Sequence, residues 1–279
     1  MSYIATQRNL LENDFMRNDL DQISASFEAN GFVIIPDFLS ADRLAEIREM
    51  FDRVLDGTVK PDSDPDAEDF EIQWEPAVKD DPDIPRHEKI RVVLHLAHTH
   101  SFFWELATSD GVLDVISAVL GPNLRYYSDQ TFVKPAHHGS AVPWHQDSAY
   151  WPAVEPNLVS CWVALDDVST ENGCVRYIPG SHKQAEPHHT VEWENPNKIT
   201  TRPEYIDESL EVPAEMRAGS ACLHHSLVLH HSLPNTSGKS RRGMVLIYLP
   251  ADLEFYRPWP WNFKHGFKLL RGKGGEEYH

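Results

Sequence analysis

The spacing of apolar residues divides the chain near residue 123. Before this point apolar residues recur at every third or fourth position, which predicts helices over Leu10–Asn30, Ala41–Leu55 and Phe102–Leu120. Gly31 and Ser40 are typical of a helix C-cap and N-cap, and the apolar run Phe32–Ile35 between them predicts a strand. These elements are expected to form an outer cover.

After residue 123 the helical spacing stops and short apolar runs alternate with turn residues. The runs predict strands over Leu124–Val133, Val142–Asp147, Leu158–Leu165, Cys174–Ile178, Ala221–His231 and Gly243–Leu249. Asn172-Gly173 and Pro179-Gly180 are typical turn pairs. Many short strands of this kind indicate a mainly β fold with flanking helices, built on a double-stranded β-helix of the jelly-roll or cupin type. We expect one domain, with a helical cover at about 1–122, a β core at about 123–250 and a tail at 251–279.

The segment Gly57–Lys89 is rich in Asp, Glu and Pro and has no clear periodicity, which predicts a long loop. Two interpretations are open: a solvated acidic surface loop, or a mobile lid over an active site. Trp74 favours the second, and we take it as a candidate substrate contact.

Composition and charge narrow the class of protein. No apolar run reaches membrane-spanning or signal-peptide length, so we expect a cytoplasmic protein. Cys161, Cys174 and Cys222 lie in apolar runs, which is typical of buried reduced thiols. The net charge of −18 disfavours nucleic acid and membranes as partners, because polyanions bind basic surfaces.

The stretch V-P-W-H-Q-D-S-A-Y-W, at Val142–Trp151, carries the first candidate chemistry. His145 and Asp147 are two residues apart, so on a strand they share one face. Two histidines and one carboxylate form the facial triad that holds non-haem Fe(II) with open coordination positions. The pair is weak evidence alone, since the chain has 16 His and 43 acidic residues. A second histidine must come from elsewhere.

The stretch L-H-H-S-L-V-L-H-H-S-L-P, at Leu223–Pro234, offers that histidine. Strand alternation places His230 and Ser232 on one face and His231 on the other. His224 and His225 are competing candidates. Arg241 follows a turn and opens the next apolar run.

These motifs, with S-C-W-V-A-L-D-D-V-S-T-E-N-G-C-V-R-Y-I-P-G-S-H-K at Ser160–Lys183, resemble the phytanoyl-CoA dioxygenase family of Fe(II)/2-oxoglutarate oxygenases. The similarity runs from about Phe32 to about Pro250. It implies the same β-helix fold, and Fe(II), 2-oxoglutarate and O₂ as cofactor and co-substrates. It also implies roles for individual residues: iron ligands His145, Asp147 and His230, a distal carboxylate site at Arg241 and Ser232, and a co-substrate pocket lined by Gln130, Thr131 and Trp162.

Some positions remain open within this resemblance. The family usually has Gly after the distal histidine, where this chain has His231. The spacing of His224 and His225 to Arg241 fits the family pattern less well than that of His230. Gln130 and Trp162 are also compatible with ordinary core positions, and His182 is expected to be structural.

The expected reaction is oxidation of a small molecule, most simply hydroxylation of an unactivated C–H bond, with release of succinate and CO₂. Desaturation, cyclisation or oxidative demethylation use the same ligands, and a metal-binding cupin, isomerase or hydrolase without 2-oxoglutarate is a separate alternative. Asp147 disfavours halogenation, because halogenating relatives of such oxygenases have a small residue there. Tyr150 and Trp151 follow the iron motif and are candidate substrate contacts.

Two further inferences concern metal and substrate. The histidines of His95–His100 allow a zinc site by spacing, but no nearby thiolate or carboxylate supports one. The acidic chain disfavours an acyl-CoA substrate, whose nucleotide handle is strongly anionic. Oligomeric state is undetermined.

Overall fold

The computed structural model describes residues 19–63, 68–151, 155–190, 199–253 and 268–273. Its helices are α1 (19–30), α2 (Ala41–Leu55), α3 (Arg86–Lys89), α4 (Leu96–Thr99), α5 (Ser101–Ala107) and α6 (Asp110–Leu120). The strands are β1 (Phe32–Ile35), β2 (Glu71–Trp74), β3 (Ile90–Leu94), β4 (Leu124–Lys134), β5 (Val142–His145), β6 (Val159–Ala164), β7 (Val175–Tyr177), β8 (His188–Thr190), β9 (Ile199–Thr201), β10 (Val212–Pro213), β11 (Ala221–His225), β12 (His230–Ser232), β13 (Arg241–Pro250) and β14 (Leu269–Arg271).

Two antiparallel sheets contain all of these strands except β8 and β9, which pair with each other. The larger has the order β1-β11-β6-β13-β4-β3-β2, with β14 paired to β4, and the smaller has the order β10-β7-β12-β5. A cavity takes side chains from β4, β6 and β13 of the large sheet and from β5, β7 and β12 of the small one. The predicted jelly-roll fold is confirmed, and its interior is open to a ligand.

The opposite face of the large sheet carries the main apolar core. Phe27 of α1, Phe51 of α2, Phe103 of α5 and Ile116 of α6 pack in one cluster with Leu246 of β13. Burying side chains of this size contributes about 1.5–3 kcal/mol each. The helices therefore seal one face of the sheet and leave its other face for the cavity. No helix among the described residues is long and apolar enough to cross a bilayer.

The helix signals agree in part with the structure. Ser40 caps α2 by accepting a hydrogen bond from the backbone N–H of Arg43 at 3.2 Å. Gly31 ends α1 with a φ of 79°, while the part of the first predicted helix before residue 19 lies outside the described residues. The single helix predicted over Phe102–Leu120 is wrong, because Thr108 and Ser109 interrupt it. Their hydroxyls donate to carbonyls of the preceding turn at 2.8 and 2.9 Å, and Ser109 then takes an extended conformation before α6.

The predicted strand Ala221–His231 is two strands in different sheets. β11 pairs with β1 and β6 in the large sheet, whereas β12 pairs with β5 and β7 in the small one. Residues 226–229 form the turn between them. This crossing brings His230 to the cavity.

Two other predictions are corrected. The long loop predicted over Gly57–Lys89 contains β2, which is the outer strand of the large sheet beyond β3, and the short helix α3. The strand predicted over Val142–Asp147 ends at His145, and Asp147 begins a 3₁₀ turn. The tail residues Trp259 and Trp261 lie outside the described residues.

Candidate active site

The cavity between the sheets holds about 630 Å³ of empty space, including its open mouth. Most of its exposed surface is apolar, from side chains such as Phe132, Val142, Trp151, Val175 and Ile247, although ten of the lining side chains are polar or charged. Convergent polar groups in a mainly apolar cavity are typical of a small-molecule site.

His145, Asp147 and His230 meet in this cavity. His145 and His230 are opposite each other on β5 and β12, and Asp147 follows on the 3₁₀ turn. The Nε2 atoms of His145 and His230 lie 3.5 and 3.6 Å from the Oδ1 atom of Asp147. Ligand atoms about 2.1 Å from one ion are about 3 Å apart at right angles, so small shifts would seat an ion among these three. Within the described ranges they are the one group of His, Cys and acidic residues with this geometry.

Backbone carbonyls orient both imidazoles. The Nδ1 of His145 is 2.8 Å from the carbonyl of Pro143, and the Nδ1 of His230 is 2.9 Å from the carbonyl of Val228. A carbonyl only accepts, so each Nδ1 carries the proton and each Nε2 presents a lone pair. Burial, together with His145, lowers the pKa of His230 well below its usual value. His230 is therefore neutral, as metal binding requires.

The second oxygen of Asp147 is held from the large sheet. Ser160 Oγ donates to Asp147 Oδ2 at 3.0 Å, and His224 Nε2 lies 3.2 Å from the same atom. The other nitrogen of His224 is 3.0 Å from the hydroxyl of Tyr177. Burial raises the pKa of the Asp147 carboxyl, but hydrogen bonding to its Oδ2 atom, including that from His224, holds the pKa well below its usual value. The carboxylate is thus ionised, with Oδ1 facing the two ligand imidazoles.

His231 and His225 lie outside this group. The His231 ring stacks on Trp144 with centroids 3.9 Å apart, and its Nε2 is 2.9 Å from Glu211 Oε2. His225 accepts a hydrogen bond from the backbone N–H of Leu227. Strand alternation therefore separates His230 from its neighbour, while His224 supports Asp147.

Arg241, the predicted partner of the co-substrate's distal carboxylate, is a buried cation of the cavity. It is 2% exposed, its Nη2 donates to the carbonyl of Gly173 at 2.6 Å, and its buried Nε has no hydrogen-bond partner among the described residues. Ser232 and Trp162 line the same cavity, and the guanidinium lies 5.2 Å from the centre of the Trp162 ring. An unpaired buried N–H is rare in a folded protein, and it fits a carboxylate ligand.

Gly243 allows Trp162 to reach this position. A Cβ atom at Gly243 would lie 2.0 Å from Cζ2 of the Trp162 ring, far inside van der Waals contact. Only glycine leaves room for the ring against β13.

The remaining predicted residues separate into two groups. Gln130 and Trp151 line the cavity, whereas Thr131 does not, which corrects the placement of Thr131 in the co-substrate pocket. Its neighbours on β4 face the cavity, so alternation turns Thr131 to the core, where it is 0% exposed. Tyr150 is not a lining residue, although its ring lies 5.6 Å from that of His145.

Trp74 and the other histidine clusters lie outside the cavity lining. Trp74 is 41% exposed, with the Arg86 guanidinium 5.6 Å from its ring. His98 and His100 hydrogen-bond to backbone groups, and His95 lies 3.1 Å from the Ser128 hydroxyl. Contrary to expectation, carboxylates lie near two of these histidines: Glu71 is 3.8 Å from His95, and Asp62 is 3.8 Å from His100. His182 is 3.1 Å from the carbonyl of Glu28 on α1, a structural contact.

Several residues of the site were not predicted from the sequence: Ser160, Tyr177, Gly243 and Lys134. Alternation offered a signal for two of them, because Lys134 shares a strand face with Gln130, and Ser160 shares one with Trp162. No sequence pattern marks Tyr177 or Gly243, and only their contacts in the folded structure show their roles.

Comparisons with known proteins agree with this geometry. The family model for phytanoyl-CoA dioxygenase matches residues 27–243. A probable alpha-ketoglutarate-dependent hypophosphite dioxygenase of Stutzerimonas stutzeri is 29% identical over 239 residues, covering 82% of this chain and 77% of that protein. The peroxisomal phytanoyl-CoA dioxygenase of Rattus norvegicus is 25% identical over 236 residues, covering 82% of this chain and 68% of its own.

A solved structure is also similar to this chain. EvdO2 from Micromonospora carbonacea var. aurantiaca, complexed with 2-oxoglutarate, superimposes with a TM-score of 0.64 at 26% identity and covers 86% of this chain and 94% of its own. The chain belongs to the phytanoyl-CoA dioxygenase family and is an Fe(II)- and 2-oxoglutarate-dependent dioxygenase.

Proposed function

We propose that this dioxygenase hydroxylates an unactivated C–H bond of a small-molecule metabolite, with release of succinate and CO₂. The observation that carries the proposal is one cavity that contains both the His145, Asp147 and His230 cluster and the buried, partly unpaired Arg241. A site that binds only a metal ion does not need a buried guanidinium to pair with a ligand carboxylate.

In this proposal the chain supplies position and charge. His145, Asp147 and His230 would hold the iron, while Arg241 and Ser232 would hold the distal carboxylate of 2-oxoglutarate. When bound, iron and 2-oxoglutarate supply the oxidising chemistry. Ser160 and His224 keep Asp147 turned to the iron, and the apolar wall with Trp151 and Val142 is where a substrate would lie.

The substrate is proposed to be neutral or cationic rather than an acyl-CoA. The chain has a net charge of −18, and the two cationic side chains that line the cavity, Arg241 and Lys134, are adjacent partners on β13 and β4. They therefore lie together at the proposed co-substrate end, and no other lining residue in the described part of the chain carries a permanent positive charge for a nucleotide. We further propose a reducing cytoplasmic location, in which Cys161, Cys174 and Cys222 stay as the free thiols seen here.

The experiment is a screen for substrates that stimulate CO₂ release from 2-oxoglutarate, followed by mass analysis of the product. Hydroxylation adds one oxygen atom, whereas desaturation or cyclisation removes two hydrogens and demethylation removes a carbon. Arg241→Ala should abolish saturable 2-oxoglutarate binding. Unchanged turnover and unchanged 2-oxoglutarate affinity in Arg241→Ala would refute the assignment, and strong stimulation by an acyl-CoA would refute the substrate class.

A further inference from the structure

Lys134 is a second buried cation of the cavity. It ends β4, is 5% exposed and lines the cavity. On the neighbouring strand its partner in register is Arg241. Directly opposite residues in an antiparallel pair share one face, so both side chains point to the same side of the sheet.

The turn at Gly173 connects the two cations. Arg241 donates to the Gly173 carbonyl at 2.6 Å, and a Cβ atom at Gly173 would lie 3.3 Å from the Nζ of Lys134. Gly173 has a φ of 79°, a conformation that favours glycine. The Lys134 ammonium group therefore lies beside the turn whose carbonyl accepts a hydrogen bond from Arg241.

The hydrogen bonds of Lys134 use two of the three donors that its protonated form would have. Its Nζ donates to the carbonyls of Ser140 at 2.9 Å and Leu233 at 2.6 Å. A protonated ammonium has three donors, so one remains. No carboxylate forms an ion pair with Lys134 within the part of the chain that the structure describes, and the nearby Glu75 carboxylate accepts from Ser140 instead.

Protonation of Lys134 beside the buried Arg241 requires a nearby anion. Burial, and then Arg241 and Arg91, lower the pKa of Lys134 to about 6, while Glu75 and Cys174 act in the opposite direction. Burial also lowers the pKa of Arg241 to about 10. A carboxylate between them would offset both effects, because an opposite charge favours the protonated forms.

We propose that Lys134 binds the distal carboxylate of 2-oxoglutarate together with Arg241. This rests on the co-substrate site of the proposed function and adds a residue to it. One carboxylate would then accept from the free donor of Lys134 and from Nε of Arg241. The consequence is selection for keto acids that have a second carboxylate.

The test is an anaerobic titration of the Fe(II) protein, following the visible charge-transfer band of a chelated keto acid. The two probes are 2-oxoglutarate and 2-oxovalerate, which has the same chelating end and no distal carboxylate. Lys134→Met should lower the affinity for 2-oxoglutarate by about ten-fold or more, as expected for a lost charged hydrogen bond. The affinity for 2-oxovalerate should stay unchanged. Lys239→Met, at an exposed lysine, is the matched control and should change neither.

The outcomes distinguish the role of Lys134 from the existence of the co-substrate site. Equal effects of Lys134→Met on both keto acids, or none on either, would overturn the role of Lys134 while the band itself upholds the co-substrate site. No band in the wild type despite bound iron would overturn the co-substrate site and the role of Lys134 with it.

A second measurement serves if Lys134→Met does not fold. Calorimetry of the wild type near pH 7.5, in two buffers of different ionisation enthalpy, counts the protons taken up on binding. We expect the protein to take up close to one proton more on binding 2-oxoglutarate than on binding 2-oxovalerate, because Lys134 is mostly neutral without the carboxylate. Equal proton counts would overturn the proposal.

Discussion

His224 gives the sharpest test of how Asp147 is positioned. Its Nε2 lies 3.2 Å from Asp147 Oδ2, and the Tyr177 hydroxyl 3.0 Å from its Nδ1 fixes the ring. With Tyr177 donating to Nδ1, the Nε2 proton points at the carboxylate. His224→Ala removes a hydrogen bond to an ionised group, worth about 1.5–3 kcal/mol, and thereby frees the carboxylate to rotate.

The expected loss of Fe(II) affinity is about 10–100-fold, which is the range typical of residues that support metal ligands. The assay is an anaerobic Fe(II) titration against a competing chelator. Tyr177→Phe should give a smaller loss, since His224 keeps its own contact with Asp147.

His225→Ala is the matched control, because it removes a partly buried imidazole from the same strand without touching Asp147. Wild-type iron affinity in a folded His224→Ala variant, judged by an unchanged melting transition, would refute the positioning role. Equal losses in the His224 and His225 variants would attribute the effect to packing.

Three further outcomes follow from the geometry. Gly243→Ala should displace Trp162, because the new Cβ would lie 2.0 Å from its ring; 2-oxoglutarate affinity falls while iron affinity stays, and a normal charge-transfer titration would contradict this. His231→Gly should keep iron binding and lower the melting temperature through the lost stack on Trp144, so a loss of iron would reassign the distal ligand. Lys134 has a folded pKa of about 6, below its unfolded value near 10.4, so the unfolded chain binds more protons between these values and stability rises with pH. Between pH 6 and pH 8 the wild type should therefore gain about 2 kcal/mol of unfolding free energy relative to Lys134→Met in denaturant titrations; parallel curves would refute the shift.

Much of the site follows from alternation along strands. β12 pairs with β7 residue by residue, so the spacing of His230 and Ser232 predicts that both face the cavity, while the ring of His231, another lining residue, stacks on Trp144. The resemblance placed Gln130 in the pocket, and Gln130 lines the cavity. Alternation along β4 excludes Thr131, whose placement there also came from the resemblance.

Other features depend on partners that lie far along the chain. Ala221–His231 is one apolar run, and only its pairing with β6 and then with β5 shows that it crosses from one sheet to the other. β2 has polar residues and exposed side chains at the outer position of its sheet, so no apolar alternation marked it. Such strands are set by their neighbours rather than by their own composition.

Net charge and local charge carry different information about ligands. The chain has a net charge of −18, which disfavours polyanions that bind across a surface. Inside the cavity, Arg241 and Lys134 are buried side by side and lack a carboxylate partner among the described residues. Removal from solvent makes that local charge far more effective than the distant acidic surface, which salt screens. An acidic protein is therefore able to select a small dianion, and the selection depends on those two side chains rather than on the net charge.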